Sequence, residues 1–306
     1  MVNVSCSGRF HAFALAEQLE MHGLLAGFYT SYAWQKNKLM RRFTSRVDKE
    51  QIPAEKIHTA IPIAAMMRMG IEPFVYNEIY DRWVARKIAR DHRSKVFIGW
   101  SGMSLLSIRK AKEMGKAAIV ERGSAHIQYQ EKILAEEYKK FGIRFNIDPR
   151  VMEKEMLEYE EADFISVPST FSKKSFLEYG VPASKLIVNN YGAGSLFKPA
   201  SPEPKQVFRV VYLGSLTIQK GMVYLFQALH KLNIPGDKFE AWFIGKVDDE
   251  IKGIVEKYTQ PNWKFFGHIN HYDLPKYLTQ CDVAAMPSIQ DGFGMVIPQL
   301  LGCGMP

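Results

Sequence analysis

Short apolar runs alternate with longer amphipathic stretches along most of the chain, the pattern of a parallel sheet wrapped by helices. Residues 1–6 read as a short strand turned by Ser7 and Gly8; 11–22 then carry Phe13, Leu15, Ala16 and Leu19 at helical spacing and stop at Gly23. The spacing predicts strands at 1–6, 24–30, 95–99, 117–121, 164–167 and 185–189, and helices at 11–22, 104–114 and 172–179. A polar stretch holding Pro199, Ser201, Pro202, Pro204 and Lys205 interrupts the alternation. It then restarts, with strands expected at 209–213, 239–245, 263–266 and 282–286 and a helix running from 221 to 232.

The fold class implied is α/β, with two Rossmann-like doubly wound domains facing a cleft: 1–198, a linker at 199–204, and 205–306. The cleft is the default ligand site for such a pair. Residues 302–306, Gly-Cys-Gly-Met-Pro, read as a helix end approaching another strand, so the second domain is expected to be incomplete here.

Composition narrows the class without choosing a function. The chain of 306 residues is 47 % apolar and 24 % charged, which excludes disorder, collagen and coiled coil and suffices for a core without disulfides or structural metal. Cys6, Cys281 and Cys303 are odd in number and form no C-x-x-C pair, which points to a reducing compartment and away from a cysteine-ligated zinc. The longest nearly apolar stretch, 60–67, contains Pro62 and is far short of the about 20 residues a membrane span needs. The N-terminus lacks a basic leader and an apolar core. The expected location is the cytoplasm, with the inner face of the membrane as the place of any peripheral contact.

Forty Lys plus Arg against thirty-two Asp plus Glu give a net charge of +8. That excess suits phosphorylated small molecules, anionic headgroups or nucleic acid, and equally a basic surface without a specific ligand. Nucleic acid is not expected as a partner, because no aromatics are interleaved with the charge clusters. Residues 34–49 begin at Trp34 and carry Lys36, Lys38, Arg41, Arg42, Arg46 and Lys49, with Leu39, Phe43 and Val47 at four-residue spacing. Such a helix either packs its stripe inward or lies on an anionic membrane.

Candidate chemistry concentrates in the second domain, where two segments each place a tight turn between a strand end and a helix start. Helix starts carry unpaired N–H groups and about half a positive charge, and so bind phosphate. The first segment, 214–221, contains Gly214, Ser215, Lys220 and Gly221; Lys220 adds a point charge, or is simply a solvated lysine. The second, 291–299, contains Asp291, Gly292, Phe293, Gly294 and Gln299. Pro298 is tolerated only in a first helical turn, so a helix should start near Met295. Asp291 and Gln299 would then suit opposite ends of one elongated ligand, or be an exposed acid and a buried amide.

Together with Gly245, the Phe266-Gly267-His268-Ile269 run and Ala285-Met286-Pro287-Ser288, these segments resemble the second domain of glycosyltransferase family four. In the first domain the Ser7-Gly8-Arg9-Phe10-His11 turn, Ala162-Asp163, Pro168-Ser169, Asn190-Tyr191-Gly192 and Phe197-Lys198-Pro199 are similar to that family's signatures. The family consists of retaining enzymes of the B-type two-Rossmann fold that use nucleotide-diphosphate sugars. The resemblance implies that Lys220 contacts the donor diphosphate. Asp291, with the backbone of Phe293 and Gly294, would hold sugar hydroxyls and stabilise the leaving phosphate. Gln299 would face the ribose and His268-Ile269 the nucleobase, while Gly8 and Arg9 would close over the diphosphate. Arg122 and His126 are the two candidates for the family's histidine position near the transferred sugar; a loop histidine is ordinarily a surface residue, and Glu121 can pair with Arg122.

This chain has Asp291 and Gln299 where the family usually has glutamates, and Ser215 where an arginine is common. Glutamine loses the charge of glutamate, which weakens the expected ribose contact. No H-E-x-x-H, G-x-S-x-G or metal-ligand cluster is present, and His268 and His271 lack partner carboxylates. The implied activity is metal-independent and cofactor-free transfer from a nucleotide-diphosphate sugar to a glycan or lipid-linked acceptor, with polysaccharide or envelope biosynthesis as its setting. The alternative is a non-catalytic sugar-nucleotide-binding or scaffold protein.

Overall fold

The computed structural model describes residues 1–8, 10–31, 52–199 and 206–306. Arg9, the basic stretch 34–49 and linker residues 200–204 lie outside the described residues.

In chain order the first elements are β1 (Val2–Cys6), α1 (Ala12–Met21), β2 (Leu25–Thr30), β3 (Ile57–Thr59), α2 (Ile61–Arg68), α3 (Pro73–Ile88), β4 (Val96–Trp100), α4 (Leu105–Glu113), β5 (Ala117–Glu121), α5 (Ile127–Lys139), α6 (Pro149–Glu161), β6 (Phe164–Val167), α7 (Thr170–Glu178) and β7 (Leu186–Val188). The strands pair in parallel in the order β3-β2-β1-β4-β5-β6-β7, which contains the Rossmann order. Prolines open α2, α3 and α6 in their first turns, where the missing N–H is not needed.

A second set follows: β8 (Phe208–Leu213), α8 (Met222–Leu232), β9 (Phe239–Ile244), α9 (Lys252–Tyr258), β10 (Trp263–Gly267), α10 (Leu274–Leu278), β11 (Val283–Ala284) and α11 (Val296–Gly302). Its parallel sheet runs β10-β9-β8-β11, the opening of the same winding. Alternate residues of β8 and β9 enter opposite cores: Tyr212, Ala241 and Phe243 on one face, Val211, Leu213, Trp242 and Ile244 on the other. Both faces are covered, which is why these strands read as apolar runs after Arg209 and Glu240. The α/β class with parallel sheets is the one the sequence implies.

By packing, one unit comprises Met1–Gly123, Ile147–Val167 and Phe176–Val188, and the other Ser124–Asn146, Pro168–Ser175 and Asn189–Pro306. This is not the single cut at 199–204 that the polar stretch suggests. The reason lies in α5: its fully buried Leu134 and its Tyr138 join Phe226, Phe243 and Trp263, with Phe141, Ile143 and Phe145 packed on the same cluster. An apolar stripe marks a buried face but does not say which core receives it.

In the first unit the chain fills one helix start with its own acids. Buried Asp81 of α3 accepts the N–H groups of Leu106 and Ser107, each at 2.9 Å. Glu158 of α6 accepts those of Gly102 at 2.5 Å and Ser104 at 2.7 Å. Carboxylates thus satisfy the orphan donors at the start of α4. Burial, reinforced by the charge of Glu155, pushes the Glu158 carboxyl up to about 8.

Candidate functional site

The second unit brings the two glycine-bearing segments to neighbouring strand ends. The turn after β8 and the loop after β11 leave adjacent strands where the winding reverses direction, the place where open α/β sheets bind ligands. Two glycines allow this approach for steric reasons. A Cβ on Gly221 (φ +70°) would lie 1.9 Å from the Pro287 carbonyl oxygen, and one on Gly245 (φ +149°) 1.8 Å from that of Gly214. Gly245 thus permits close contact between the exits of β8 and β9.

Lys220 Nζ lies 2.5 Å from Asp291 Oδ2, with side chains 26 % and 30 % exposed. The two segments thus form one site. Nearby, burial and then the Asp291 charge push the Tyr212 phenol far above its ordinary range. Its hydroxyl donates to the Ser215 carbonyl at 2.8 Å, while the Ser215 side chain is exposed.

The loop after β11 is braced from both sides. The Gly292 carbonyl accepts from Ser169 Oγ at 2.5 Å and Ser172 Oγ at 3.2 Å. The Phe293 ring meets Tyr191 edge-on at 5.3 Å. The N–H groups of Gly292, Phe293 and Gly294 donate to no hydrogen bond among the described residues, so they are available to an anion. The helix opens where Pro298 requires, with Met295 capping α11. A cavity of about 330 Å³ lies here, lined by Ser169, Met286, Asp291, Gly292, Phe293 and Gly294 among others.

Residues 195–306 match the family described as glycosyl transferases group 1. The match covers the part of the chain that carries both glycine-bearing segments. The chain is 25 % identical over 174 residues to the O-antigen chain mannosyltransferase B of Escherichia coli, covering 51 % of this chain and 46 % of that protein. It is 26 % identical over 157 residues to an uncharacterized 41.2 kDa protein in the cps region of Klebsiella pneumoniae, covering 48 % and 42 %. These matches span just under half the length of those relatives. Among solved structures it is similar to sucrose-phosphate synthase from Thermosynechococcus elongatus (TM-score 0.71, 17 % identity, covering all of this chain and 79 % of that one). It is also similar to Anabaena HepE in complex with UDP and glucose (TM-score 0.64, 16 % identity, 100 % and 79 %). The likeness is of fold, and places the chain in the B-type glycosyltransferase fold class.

The remaining expected residues fall in different surroundings. In the matched region Gln299 is half-buried on α11, His268 is exposed and Ile269 packs on the cluster of Trp242 and Leu278. Gly8 lies in the first unit, in the turn after β1. The two candidates for one position belong to different units: Arg122 to the first, His126 to the second. Arg122 pairs with Glu155 at 3.1 Å rather than with Glu121, which faces His11 at 3.1 Å. His126 is fully buried at the start of α5, its N–H donating to Ser175 Oγ at 2.9 Å. The expectation of a surface histidine is corrected: the α5 helix carries its own N-terminus into the interior.

One residue escapes the sequence reading altogether. Gln290, 1 % exposed, donates to Ser124 Oγ at 2.9 Å and accepts from Gln219. A single amide in a loop has no period and no motif to announce it.

No helix among the described residues is long and apolar enough to cross a membrane.

Proposed function

We propose that the chain is the sugar-transferring part of a glycosyltransferase that moves a hexose from a nucleotide-diphosphate donor to a glycan or lipid-linked acceptor. The observation that carries this is the Lys220–Asp291 pair beside the three free N–H groups of Gly292–Gly294. A nucleotide diphosphate leaves with negative charge on its terminal phosphate. Preorganised N–H groups and an ammonium at a helix start stabilise that charge without reorganising. Lys220 turns from Asp291 to the diphosphate, and the freed Asp291 carboxylate accepts hydrogen bonds from sugar hydroxyls.

Transfer proceeds with retention and needs no metal. The bond from the sugar's anomeric carbon to phosphate oxygen breaks while the acceptor oxygen bonds to that carbon on the same face, and the acceptor proton passes to the departing phosphate. Gln299 faces the ribose, and His268 and Ile269 the base. The UDP in the HepE complex supports a nucleotide-diphosphate donor, and the O-antigen relative supports an envelope polysaccharide setting. The acceptor is met at the inner membrane face through residues 34–49.

Thermal unfolding with UDP-glucose and GDP-mannose tests the donor, since a ligand of the native state raises the midpoint. A rise with one of them, lost in Lys220→Ala, is expected; no rise with either would overturn the reading. Binding without hydrolysis or transfer to any acceptor would select the non-catalytic alternative, to which the uncharged Gln299 and the short Ser215 side chain are suited.

A further inference from the structure

Lys220 and Asp291 are each preceded by a glutamine, and the two glutamines are bonded to each other. Gln219 Nε2 donates to the Gln290 carbonyl at 3.2 Å and to Gln290 Oε1 at 3.3 Å. The Ile289 N–H returns a bond to the Gln219 carbonyl at 2.9 Å. Gln290 Nε2 passes the connection on to Ser124 Oγ at 2.9 Å, one residue beyond the Gly123 that ends the first stretch of the other unit. The Gln290 side chain is excluded from water, so each lost partner strands a buried polar atom.

We propose that Gln290 is a positioning residue: through Gln219 and Ser124 it sets the register between the β8 turn and the β11 loop that holds the Asp291 carboxylate against the Lys220 ammonium. Its consequence for turnover rests on the glycosyl-transfer reading; its consequence for the ion pair does not. A buried amide that merely fills space would affect stability but not the pairing of its neighbours.

Two measurements separate these roles, each made on the whole chain at a temperature where circular dichroism shows it folded. The first is pulsed acetylation with acetic anhydride, read residue by residue by mass spectrometry, with exposed Lys231 as internal reference. Gln290→Leu and the milder Ser124→Ala should each raise the relative labelling of Lys220 by about fivefold, the population change of one hydrogen bond. Unchanged Lys220 labelling in folded Ser124→Ala and Gln290→Leu would overturn the proposal; if Gln290→Leu fails to fold, Ser124→Ala decides alone.

The second is the maximal rate of hydrolysis or transfer of whichever of UDP-glucose and GDP-mannose the wild type binds. The loss caused by Gln290→Leu should vanish in an Asp291→Asn background, because both act through one carboxylate. Multiplicative losses would overturn the positioning role. A wild type without turnover would sink the glycosyl-transfer reading and leave the labelling result to judge Gln290.

Discussion

Lys220 Nζ and Asp291 Oδ2 stand 2.5 Å apart although 71 positions separate them in the chain. Each residue follows the carboxyl end of a strand, and those strands, β8 and β11, are neighbours in the sheet. Topology therefore brings the charges together, and both side chains remain partly open to solvent. An exposed pair of this kind contributes little to stability, about 0–1 kcal/mol. The pair stands beside the undonated N–H groups of Gly292–Gly294, and the proposed use of Lys220 is to meet a phosphate there.

Replacing Lys220 separates that use from folding. Lys220→Ala should shift the unfolding free energy by less than about 1 kcal/mol. Donor turnover should fall by roughly a hundredfold to a thousandfold, the usual effect of removing one oxyanion donor. Chemical denaturation alongside a donor-hydrolysis assay checks both halves.

The close approach of Gly221 to Pro287 makes a steric prediction. In Gly221→Ala the new Cβ meets the Pro287 carbonyl oxygen at 1.9 Å in a left-handed backbone, so the loss should be about 2–4 kcal/mol. Gly23 has nearly the same φ, +67°, but nothing within 4 Å of its Cβ direction. Gly23→Ala should show only the backbone penalty, about 1 kcal/mol. Urea midpoints of the two variants isolate the clash; equal losses would refute it.

Glu158 makes stability depend on pH. Burial, then the charge of Glu155, raises its carboxyl from 4.5 to about 8 in the folded chain, against opposing bonds from the Ser104 and Gly102 N–H groups. A raised native value means the folded state binds the proton more tightly than the unfolded one. The contribution is complete below about 4.5 and is lost as pH rises through about 8. Glu158→Gln cannot titrate, so the wild-type-minus-variant difference in unfolding free energy should fall steadily across that window. A flat difference curve would refute the assignment.

The strands β8 and β9 were readable because both faces are buried and every position but Arg209 and Glu240 is apolar, and the start of α11 was readable because Pro298 has to lie in a first turn. Asp81 and Glu158 were not, since a charged residue on an amphipathic helix reads as solvated until its partner on another helix is known. Gln290 and His126 share the difficulty from the loop side: their importance lies in what packs on them. The Lys220–Asp291 pairing lay between these cases. Both residues were singled out from their turns, but their contact depends on the strand order, which hydropathy alone does not give.

The same distinction between stripe and destination makes the α5 segment testable. Leu134 is fully buried in the core beneath α8, and Tyr138 donates to Glu250 Oε1 at 2.9 Å. That same carboxylate oxygen accepts the Ile218 N–H at 2.8 Å, two residues before Lys220. Leu134→Ala should therefore destabilise the unit bearing the site by about 2–5 kcal/mol, the range for a buried leucine cavity. Tyr138→Phe removes one hydrogen bond and should cost only about 1 kcal/mol. Hydrogen exchange resolves where the loss falls. Amides of β8 and β9 should lose protection in Leu134→Ala while those of β1 and β4 keep theirs; equal loss in both sheets would mean that α5 packs with the first unit after all.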